Sequence, residues 1–284
     1  MKNIFVIFVI ILTFFSFKKI NDKPSTSMKL VKVWESDTLF TTAESVIYDT
    51  KNKVIYVSNI DGQPWEEDNK GSIGKLSLDG KVIDAKWVTG LNAPKGLGIV
   101  GGKLYVADNI RLVEIDIKSG KVLQKYDVKD CQGLNDVATT SDGSVYFTDS
   151  QKGVVHLFKN GVVTTVVDGL GGSNGVLYEN DRLLLGTWAD SSLTAYQFNA
   201  KKTNIFANKL PQPDGIEAIG DGSYLVSTWS GLIHHVDKNG KVELLLDTKK
   251  DKISAADIDF VKDKNLLLVP TFFRNTVAAY RLVK

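Results

Sequence analysis

The sequence predicts an all-β protein, a six-bladed β-propeller, from a repeat, a set of short strands and a series of turn pairs. Each repeat contains one residue at a matching position, which we call the register residue, followed by an apolar strand. Successive register residues are 51, 40, 39, 40 and 42 residues apart. The six register residues are Glu44, Lys95, Asn135, Asn174, Asp214 and Ala256. A period near 40 residues is typical of propeller blades, which contain four strands each. The sequence therefore predicts six blades.

The predicted strands are short and rich in β-branched or aromatic residues, as strands usually are. In each repeat the second strand ends at a similar distance from the register residue, at Asn59, Asp108, Asp149, Trp188, Trp229 and Thr271. Asp-Gly, Gly-Gly, Asn-Gly and Ser-Gly pairs supply the positive φ that tight hairpins need. A β-sandwich also fits regular strand spacing. The shared register of the repeats favours the propeller.

The last repeat contains only three predicted strands, so a closed ring needs a fourth. Segment 29–34, KLVKVW, is an alternating strand that precedes the first repeat. We expect it to complete the last blade, because this would remove an open sheet edge. The propeller is therefore predicted to cover residues 29–284 as a single domain.

The first 20 residues are predicted to be a signal peptide or an N-terminal anchor. Their apolar run, Ile4 to Phe17, has 14 residues, which suits a signal-peptide core better than a membrane span. Residues 21–28 form a polar linker. The run is followed by no clear cleavage motif and by no cysteine that could accept a lipid, so cleavage and anchoring both stay open. We expect an exported protein, periplasmic or secreted.

Composition excludes several classes of partner. The 35 basic and 33 acidic residues nearly cancel, and no basic run has interleaved aromatic residues, so neither nucleic acid nor an anionic membrane surface is indicated. The expected partner is a small molecule. The single cysteine, Cys131, and the three histidines, His156, His234 and His235, lie away from the register positions. A cysteine or serine triad is therefore disfavoured.

Four of the six register residues carry side-chain oxygen. The innermost strands of a propeller line its channel, so Glu44, Asn135, Asn174 and Asp214 would form a ring around the axis. Two carboxylates and two amide carbonyls are hard donors that Ca²⁺ or Mg²⁺ prefers, and their charge would neutralise one divalent ion. Each residue alone also fits a turn or a cap. Together they favour one divalent cation, with Ca²⁺ as the first candidate.

The phrases around these donors resemble the metal-site motifs of the senescence marker protein, gluconolactonase and paraoxonase-like propellers. They are Ala43-Glu44-Ser45-Val46, Gly133-Leu134-Asn135-Asp136-Val137, Ser173-Asn174-Gly175-Val176 and Pro213-Asp214-Gly215-Ile216. The resemblance covers nearly all of the predicted propeller. It implies a divalent cation, commonly calcium, in the axial channel, and hydrolysis of lactones, sugar lactones or phosphotriesters.

By that resemblance, Glu44, Asn174 and Asp214 would be metal ligands, and Asn135 would be a ligand or a substrate contact. Asp149 resembles strand ends of this family and of strictosidine synthase-like relatives, which implies a further substrate contact.

Three positions depart from the family pattern. Glu44 is followed by Ser45-Val46 where many members have Gly-Pro. Lys95 stands where paraoxonases have a histidine thought to assist catalysis, so a histidine mechanism does not transfer. Ala256 supplies no donor, and we expect the neighbouring Asp257 to point to the other face of its strand.

The ring predicts an ester hydrolase in which the cation polarises the carbonyl and a water molecule attacks it. Asp214 is the candidate base. A buried Lys95 would have a lowered pKa and donate a proton to the leaving alkoxide; an ion pair from Lys95 to Glu44 or Asp214, partly replacing the metal, fits equally well. The alternative function is a non-catalytic propeller that binds a ligand or protein at its rim, with a structural ion or none.

Two further features bear on substrate binding. Trp188 and Trp229 end the second strands of adjacent repeats, so both are expected at one rim of the channel, where they would stack on a substrate ring or pack between blades. Segment 61–70, DGQPWEEDNK, is the insertion that lengthens the first offset. It is a candidate lid, and a solvated acidic loop is the other interpretation.

Overall fold

Six four-stranded antiparallel sheets make up the computed structural model, which describes residues 28–179 and 181–284. The sheets are the blades of a six-bladed β-propeller, as the repeat predicts. Blades 1 to 5 each contain four consecutive strands: β2 (Ala43–Asp49), β3 (Val54–Asn59), β4 (Gly71–Ser77) and β5 (Val82–Leu91); β6 (Pro94–Val100), β7 (Lys103–Asp108), β8 (Arg111–Asp116) and β9 (Val122–Asp127); β10 (Leu134–Thr139), β11 (Val145–Asp149), β12 (Val154–Lys159) and β13 (Val162–Val167); β14 (Ser173–Glu179), β15 (Arg182–Thr187), β16 (Ser192–Gln197) and β17 (Lys202–Asn208); β18 (Pro213–Ala218), β19 (Tyr224–Thr228), β20 (Leu232–Val236) and β21 (Val242–Asp247).

The sixth blade joins the two ends of the propeller. Its strands are β22 (Asp259–Val261), β23 (Leu266–Pro270), β24 (Val277–Val283) and β1 (Lys29–Glu35), in the spatial order β1-β24-β23-β22. The pairing of β1 with β24 is antiparallel and begins with Lys29 opposite Val283. The predicted closure of the ring by the strand at residues 29–34 is therefore confirmed.

In blades 1 to 5, the pairing of the innermost strand with its neighbour is interrupted at the register residue. The pairing skips from Ala43 to Ser45, from Pro94 to Leu97, from Leu134 to Val137, from Ser173 to Val176 and from Pro213 to Ile216. A bulge of this kind removes residues from the ladder and re-aims their side chains. The repeated bulge is therefore the local structure that sets the candidate donors apart from ordinary strand residues.

Glycine follows the register residue in three blades because the innermost strands approach each other closely there. A Cβ atom on Gly175 would lie 1.8 Å from the carbonyl oxygen of Asp214 in the next blade. A Cβ on Gly96 would lie 2.5 Å from the Cα of Asp136. Backbone contacts this short leave room only for glycine.

Apolar clusters between neighbouring blades form the core. One cluster joins Tyr56 and Ile73 of blade 1 to Leu104 and Val106 of blade 2, and all four residues are buried. Within the described residues, no helix combines the length and apolarity needed to cross a membrane. The predicted signal or anchor segment 1–20 and most of the linker 21–28 lie outside the described residues, so both stay predictions.

Candidate metal centre and active site

The four predicted donors lie near the start of the innermost strands of blades 1, 3, 4 and 5. Glu44 is 4 % exposed, Asn135 8 %, Asn174 2 % and Asp214 2 %. Each residue falls within the bulge of its strand. The ring is therefore built from buried polar side chains that leave the sheet ladder at matching positions.

Three of these side chains carry a buried oxygen without a hydrogen-bond partner. The oxygens are Glu44 Oε2, Asn174 Oδ1 and Asp214 Oδ1. An unsatisfied buried polar atom costs about 1–3 kcal/mol, so native proteins rarely leave one unpaired. A hard cation among them would satisfy all three, because carboxylate and amide oxygens are its usual ligands. The residues present fit a divalent metal ion.

The donor set contains few carboxylates. Across residues 28–179 and 181–284, no three Asp, Glu, His or Cys side chains group together closely enough to hold a metal ion by themselves. The candidate site therefore depends on the amide oxygens of Asn135 and Asn174 as much as on Glu44 and Asp214. Mixed carboxylate and amide ligation suits Ca²⁺ or Mg²⁺ and does not suit Zn²⁺, which takes nitrogen and sulfur ligands.

Burial disfavours the ionised form of the two carboxyl groups in the ring. It raises the pKa of Asp214 well above its usual range; the nearby Asp257 raises it further, and the side-chain amide of Asn174 opposes the rise. Burial, followed by the charge of Asp214, raises the pKa of Glu44 well above its usual range, and Lys95 opposes this. A cation in the ring would stabilise the ionised forms of both groups.

Two aspartates immediately beneath the ring are not among the predicted site residues. Asp136 and Asp257 line an axial cavity of about 170 Å³. The expectation that Asp257 points to the other face of its strand is wrong, because Asp257 precedes β22 and forms an isolated parallel bridge with Ser45 of blade 1. The Ser45 hydroxyl donates to Asp257 Oδ2 at 2.5 Å, and the Asp257 N–H donates to the carbonyl oxygen of Glu44 at 3.0 Å.

The sequence does contain a signal for these polar residues beneath the ring. Ser45, Asp136 and Asp257 occupy the position directly after the register residue, where the other three blades have Gly96, Gly175 and Gly215. Three blades have a polar residue there and three have glycine, because the axis is too narrow for six side chains. The repeat alignment thus contains two adjacent positions with polar residues, and the first alone predicts the donor ring.

The carboxylate of Asp136 connects two blades. Its Oδ2 accepts the N–H of Val176 at 2.6 Å, and its Oδ1 accepts the N–H of Val137 at 2.7 Å. Burial raises the pKa of Asp136 to about 8, although these two N–H groups oppose the rise. Asp136 therefore links blades 3 and 4 directly beneath the donor ring.

Lys95, the register residue of blade 2, bonds to backbone oxygens. Its Nζ donates to the carbonyl of Pro64 at 2.5 Å and to that of Ala93 at 3.1 Å, and it lies 4.0 Å from the centroid of the Trp65 ring. Burial lowers the pKa of Lys95 to about 8, while Glu44 and Asp108 oppose the shift. In the part of the chain that the structure describes, Lys95 forms no ion pair with Glu44 or Asp214.

The loop at residues 61–70 is attached to blades 2 and 3 at the donor end of the ring. The side-chain amide of Asn109 donates to the carbonyl of Trp65 at 3.1 Å. The Trp65 ring covers Gly133, where a Cβ would lie 2.6 Å from Trp65 Cζ3. Together with the contacts of Lys95, these bonds give the loop a defined position, which fits the predicted lid better than a freely solvated loop.

Asp149 has a position unlike that of a substrate contact. It is fully buried. Its carboxylate accepts the N–H groups of Gln132 at 2.8 Å, Gly133 at 3.0 Å and Lys152 at 3.0 Å. These bonds occupy both oxygens and fix the loop that leads to Asn135. We therefore assign Asp149 a structural role and leave it out of the proposed substrate contacts.

Trp188 and Trp229 both lie at the donor end of the ring. Trp188 is 36 % exposed, and its Nε1 donates to the carbonyl of Pro213 at 2.8 Å, next to Asp214. Trp229 is half-buried, and its backbone N–H donates to the carbonyl of Gln212. The Trp188 indole and the Trp229 backbone are thus bonded to the segment at the start of the innermost strand of blade 5.

Neither the cysteine nor the histidines are near the ring. Burial, and then the charge of Asp149, raise the pKa of the Cys131 thiol to about 11, which disfavours the reactive thiolate. His156 lies in β12, and His234 and His235 lie in β20. These are third strands of their blades, away from the channel.

The fold and the ring define the class of the protein: a six-bladed propeller with oxygen donors at one end of its axial channel. Comparison with protein families gives the same result, because the model of the SMP-30/gluconolactonase/LRE-like region matches residues 42–256. The chain therefore belongs to this family, and membership indicates lactonase-like hydrolase activity on a small molecule. A comparison with curated proteins found no match.

Two solved structures share the fold. A catalytically inactive variant of virginiamycin B lyase from Staphylococcus aureus, solved with quinupristin, has a TM-score of 0.62 and 14% identity; the match covers 90% of this chain and 99% of that chain. A provisionally named gluconolactonase has a TM-score of 0.67 and 16% identity, with coverage of 90% and 93%. At these identities the likeness shows the fold alone.

Proposed function

We propose that the protein is a hydrolase of lactones or related esters that depends on one divalent cation, most simply Ca²⁺. The observation that carries this proposal is the set of three unpartnered buried oxygens, on Glu44, Asn174 and Asp214. They come from three different blades and have the chemistry of hard-cation ligands. Family membership supplies the reaction type.

Glu44, Asn135, Asn174 and Asp214 would hold the cation. When bound, the cation supplies Lewis-acid polarisation of the ester carbonyl and activation of water. Glu44 and Asp214 together contribute the charge that balances a divalent ion. Asn135 is the most exposed of the four at 8 %, so its amide is the one best placed to contact substrate as well.

Asp214 is the proposed base or water-orienting group. A general base works best when its pKa lies near the working pH. Burial moves the pKa of Asp214 upward from the usual carboxyl range, and a bound cation would oppose this rise. The carboxylate oxygen of Asp214 that does not bind the cation would accept the proton of the attacking water.

Lys95 is the proposed proton donor to the leaving alkoxide. Its pKa of about 8 suits proton donation near neutral pH. Its ammonium group donates to the Pro64 carbonyl, so it would have to exchange that bond for one to the substrate oxygen. Movement of the loop at residues 61–70 would therefore accompany turnover.

Trp188 and Trp229 are the proposed aromatic contacts for the substrate, because both lie beside the strand that carries Asp214. The substrate is a small molecule. The predicted segment 1–20 would send the protein to the periplasm or outside the cell, with or without retention as an anchor.

Calorimetric titration of the purified protein with Ca²⁺ and Mg²⁺ tests the metal site. Glu44→Gln and Asp214→Asn keep the size of the side chain, remove its charge and replace one accepting oxygen with a donating NH2 group, so we expect each to weaken cation binding at least tenfold. Glu243→Gln is the matched control, because Glu243 is an exposed carboxylate on outer strand β21. Failure of the unaltered protein to bind either cation would overturn the metal site.

Turnover of a lactone panel, measured in the same samples, tests the reaction. Hydrolysis that needs the cation and is lost in Asp214→Asn would support the proposal. Cation binding without turnover of any lactone or ester would favour the alternative, a propeller that binds a ligand or protein and uses the ion for structure.

Product mass distinguishes hydrolysis from elimination. One protein with the same fold is a lyase by name, and a lyase opens a ring without adding water. Hydrolysis adds the mass of one water molecule to the ring-opened product, whereas elimination leaves the mass of the substrate unchanged. An unchanged mass would contradict the hydrolase proposal while leaving the cation site in place.

A further inference from the structure

The sixth blade interrupts the oxygen ring with an apolar sector. Ala256 occupies the register position there and is fully buried. It belongs to an apolar cluster of buried residues against which Trp229 packs: Ile60, Ala93, Ala256 and Phe272. The sector lies between blade 5, which carries Asp214, and blade 1, which carries Glu44. One side of the ring is therefore apolar next to two proposed ligands.

The turn between β23 and β24 is fixed directly beside the ring. The N–H of Phe272 donates to the carbonyl of Ala43, the residue before Glu44, at 3.0 Å. The N–H of Thr42 donates to Asn275 Oδ1 at 2.8 Å. The turn therefore belongs to the rigid part of the ring.

Phe272 has a φ of 52°, a left-handed conformation that is unfavourable for a bulky side chain. Backbone strain of this kind costs about 1–3 kcal/mol and is concentrated at functional sites.

The strained turn exposes a phenylalanine. Phe273 is 66 % exposed, the highest value among the large hydrophobic side chains in the described ranges 28–179 and 181–284. Its ring centroid lies 4.6 Å from that of Phe272 and 6.5 Å from that of Trp229, both edge to face. Trp229 and Phe272 are 5.7 Å apart in the same way. We call Trp229, Phe272 and Phe273 the aromatic wall.

Two polar groups beside the aromatic wall have partners within the protein. Thr271 Oγ1 donates to the carbonyl of Thr276 at 2.8 Å. Arg274 Nε pairs with Glu35 at 2.6 Å. A sugar placed here would give up hydrogen bonds to water and find few replacements, which costs free energy. An alkyl or aryl group would lose nothing and would remove aromatic surface from water.

We propose that the aromatic wall is the subsite for an apolar substituent, so that the protein takes lactones or esters with an alkyl or aryl group in preference to polyhydroxylated sugar lactones. The reacting carbonyl would face the oxygen ring while the substituent lies on Phe273. Phe272 contacts Ala43, the residue before Glu44, so the aromatic wall and the oxygen ring lie within reach of one small molecule. The inference rests on the proposed function for its reaction, and on the turn geometry for its specificity.

A homologous series of γ-lactones with lengthening alkyl chains, compared with gluconolactone, tests the preference. We expect kcat/KM to rise about fourfold for each added CH₂ group until the wall is covered, the factor for burial of one methylene. Phe273→Ala should reduce this dependence on chain length through a higher KM for the longer lactones. Ile205→Ala, which truncates an apolar side chain of 59 % exposure on outer strand β17, is the control and should keep the unaltered series.

Binding without chemistry separates this inference from the proposed function. Tetrahydrofurans with the same alkyl chains have no carbonyl to hydrolyse. If they bind more tightly with chain length and Phe273→Ala removes that trend, the wall stands even if no lactone is turned over. If lactones are hydrolysed but neither series depends on chain length or on Phe273, the proposed subsite is contradicted and the proposed hydrolase function remains. The proposal would also be contradicted if the unaltered protein binds phosphatidylcholine vesicles, Phe273→Ala abolishes that binding, and neither series changes. Phe273 would then be a membrane contact.

Discussion

Gly175 shows how a single residue sets the geometry of the donor ring. Its Cα approaches the carbonyl of Asp214 so closely that an added Cβ would lie 1.8 Å from that oxygen. We expect Gly175→Ala to displace the start of β18, to lower the free energy of unfolding by at least about 3 kcal/mol and to weaken cation binding. Urea denaturation and calorimetry would measure the two effects.

Gly101 provides the matched control for this substitution. It has a φ of 61° and no atom within 4 Å of an added Cβ, so Gly101→Ala should cost only about 1 kcal/mol, from its left-handed backbone. Equal costs at the two glycines would show that the close approach of the strands does not limit the ring.

Individual donors were predictable because each recurs at the same bulge in a different blade. Asp149 resisted prediction for the opposite reason: its place at a strand end is the same whether its carboxylate meets a substrate or, as the structure shows, three backbone N–H groups. Hydrogen-bond satisfaction is a property of three-dimensional neighbours. It leaves no mark in the spacing of residues.

The loop at residues 61–70 is the element whose position depends on charge. The Lys95 ammonium lies over Trp65, and the pKa of Lys95 is lowered to about 8 by burial. Raising the pH through about 8 should remove the positive charge and weaken the contact with the indole. We expect Trp65 fluorescence to change with a midpoint near that pH. This change should be absent in Lys95→Met.

Trp65→Phe identifies the source of this signal. The protein has five tryptophans, and a transition that persists in Trp65→Phe would arise from another one. Hydrogen exchange of the loop provides a second readout, with lower protection, corrected for the intrinsic rise of the exchange rate with pH, above about pH 8 than below it. Equal protection at both pH values would contradict a charge-dependent loop.

Strands were the most predictable elements because turn pairs and alternation mark both of their ends. The exception is the innermost strand of blade 6, which the repeat places at residues 256–260 and which the structure restricts to Asp259–Val261. The N–H of Ala256 bonds within the sixth blade, to Pro270, whereas the N–H of Asp257 bonds to Glu44 of the first blade. A sequence pattern taken blade by blade does not include this contact between blades.

For the molecule as a whole, the buried axial carboxyls make stability depend on pH. The pKa of Asp136 rises from 3.8 to about 8 on folding, chiefly through burial, and those of Glu44, Asp214 and Asp257 rise as well. At these four groups the native state binds more protons than the unfolded state, so the stability that they contribute is greatest below about pH 4 and is lost as the pH rises through about 8. We expect the melting temperature of chelator-treated protein to fall between about pH 5 and 8.

Added Ca²⁺ should reverse the fall, because a cation stabilises the ionised carboxylates. Each group contributes up to about 1.4 kcal/mol per pH unit. Asp136→Asn should flatten the slope, whereas Asp142→Asn, at an exposed turn, should not. A melting temperature that rises between pH 5 and 8 in the presence of chelator would contradict the predicted protonation of the channel.

Closure of the propeller predicts the effect of removing one strand. Deletion of residues 1–35 would remove β1 and leave β24 as an open edge, which invites pairing with other molecules. We expect aggregation in light scattering and a lower melting temperature. Deletion of residues 1–27 alone leaves β1 in place and serves as the control, so aggregation of that shorter deletion would show that ring closure is not the cause.

The pairing of β1 with β24 also fixes the order in which the chain can finish folding. During synthesis β1 is made first, and its partner is made last, because Val283 lies opposite Lys29. A contact between the two ends of the sequence forms slowly and late. The sixth blade therefore stays incomplete until β24 is made, and the ring cannot close before then. A segment at the start of the chain that directs export would act on a molecule still unable to close.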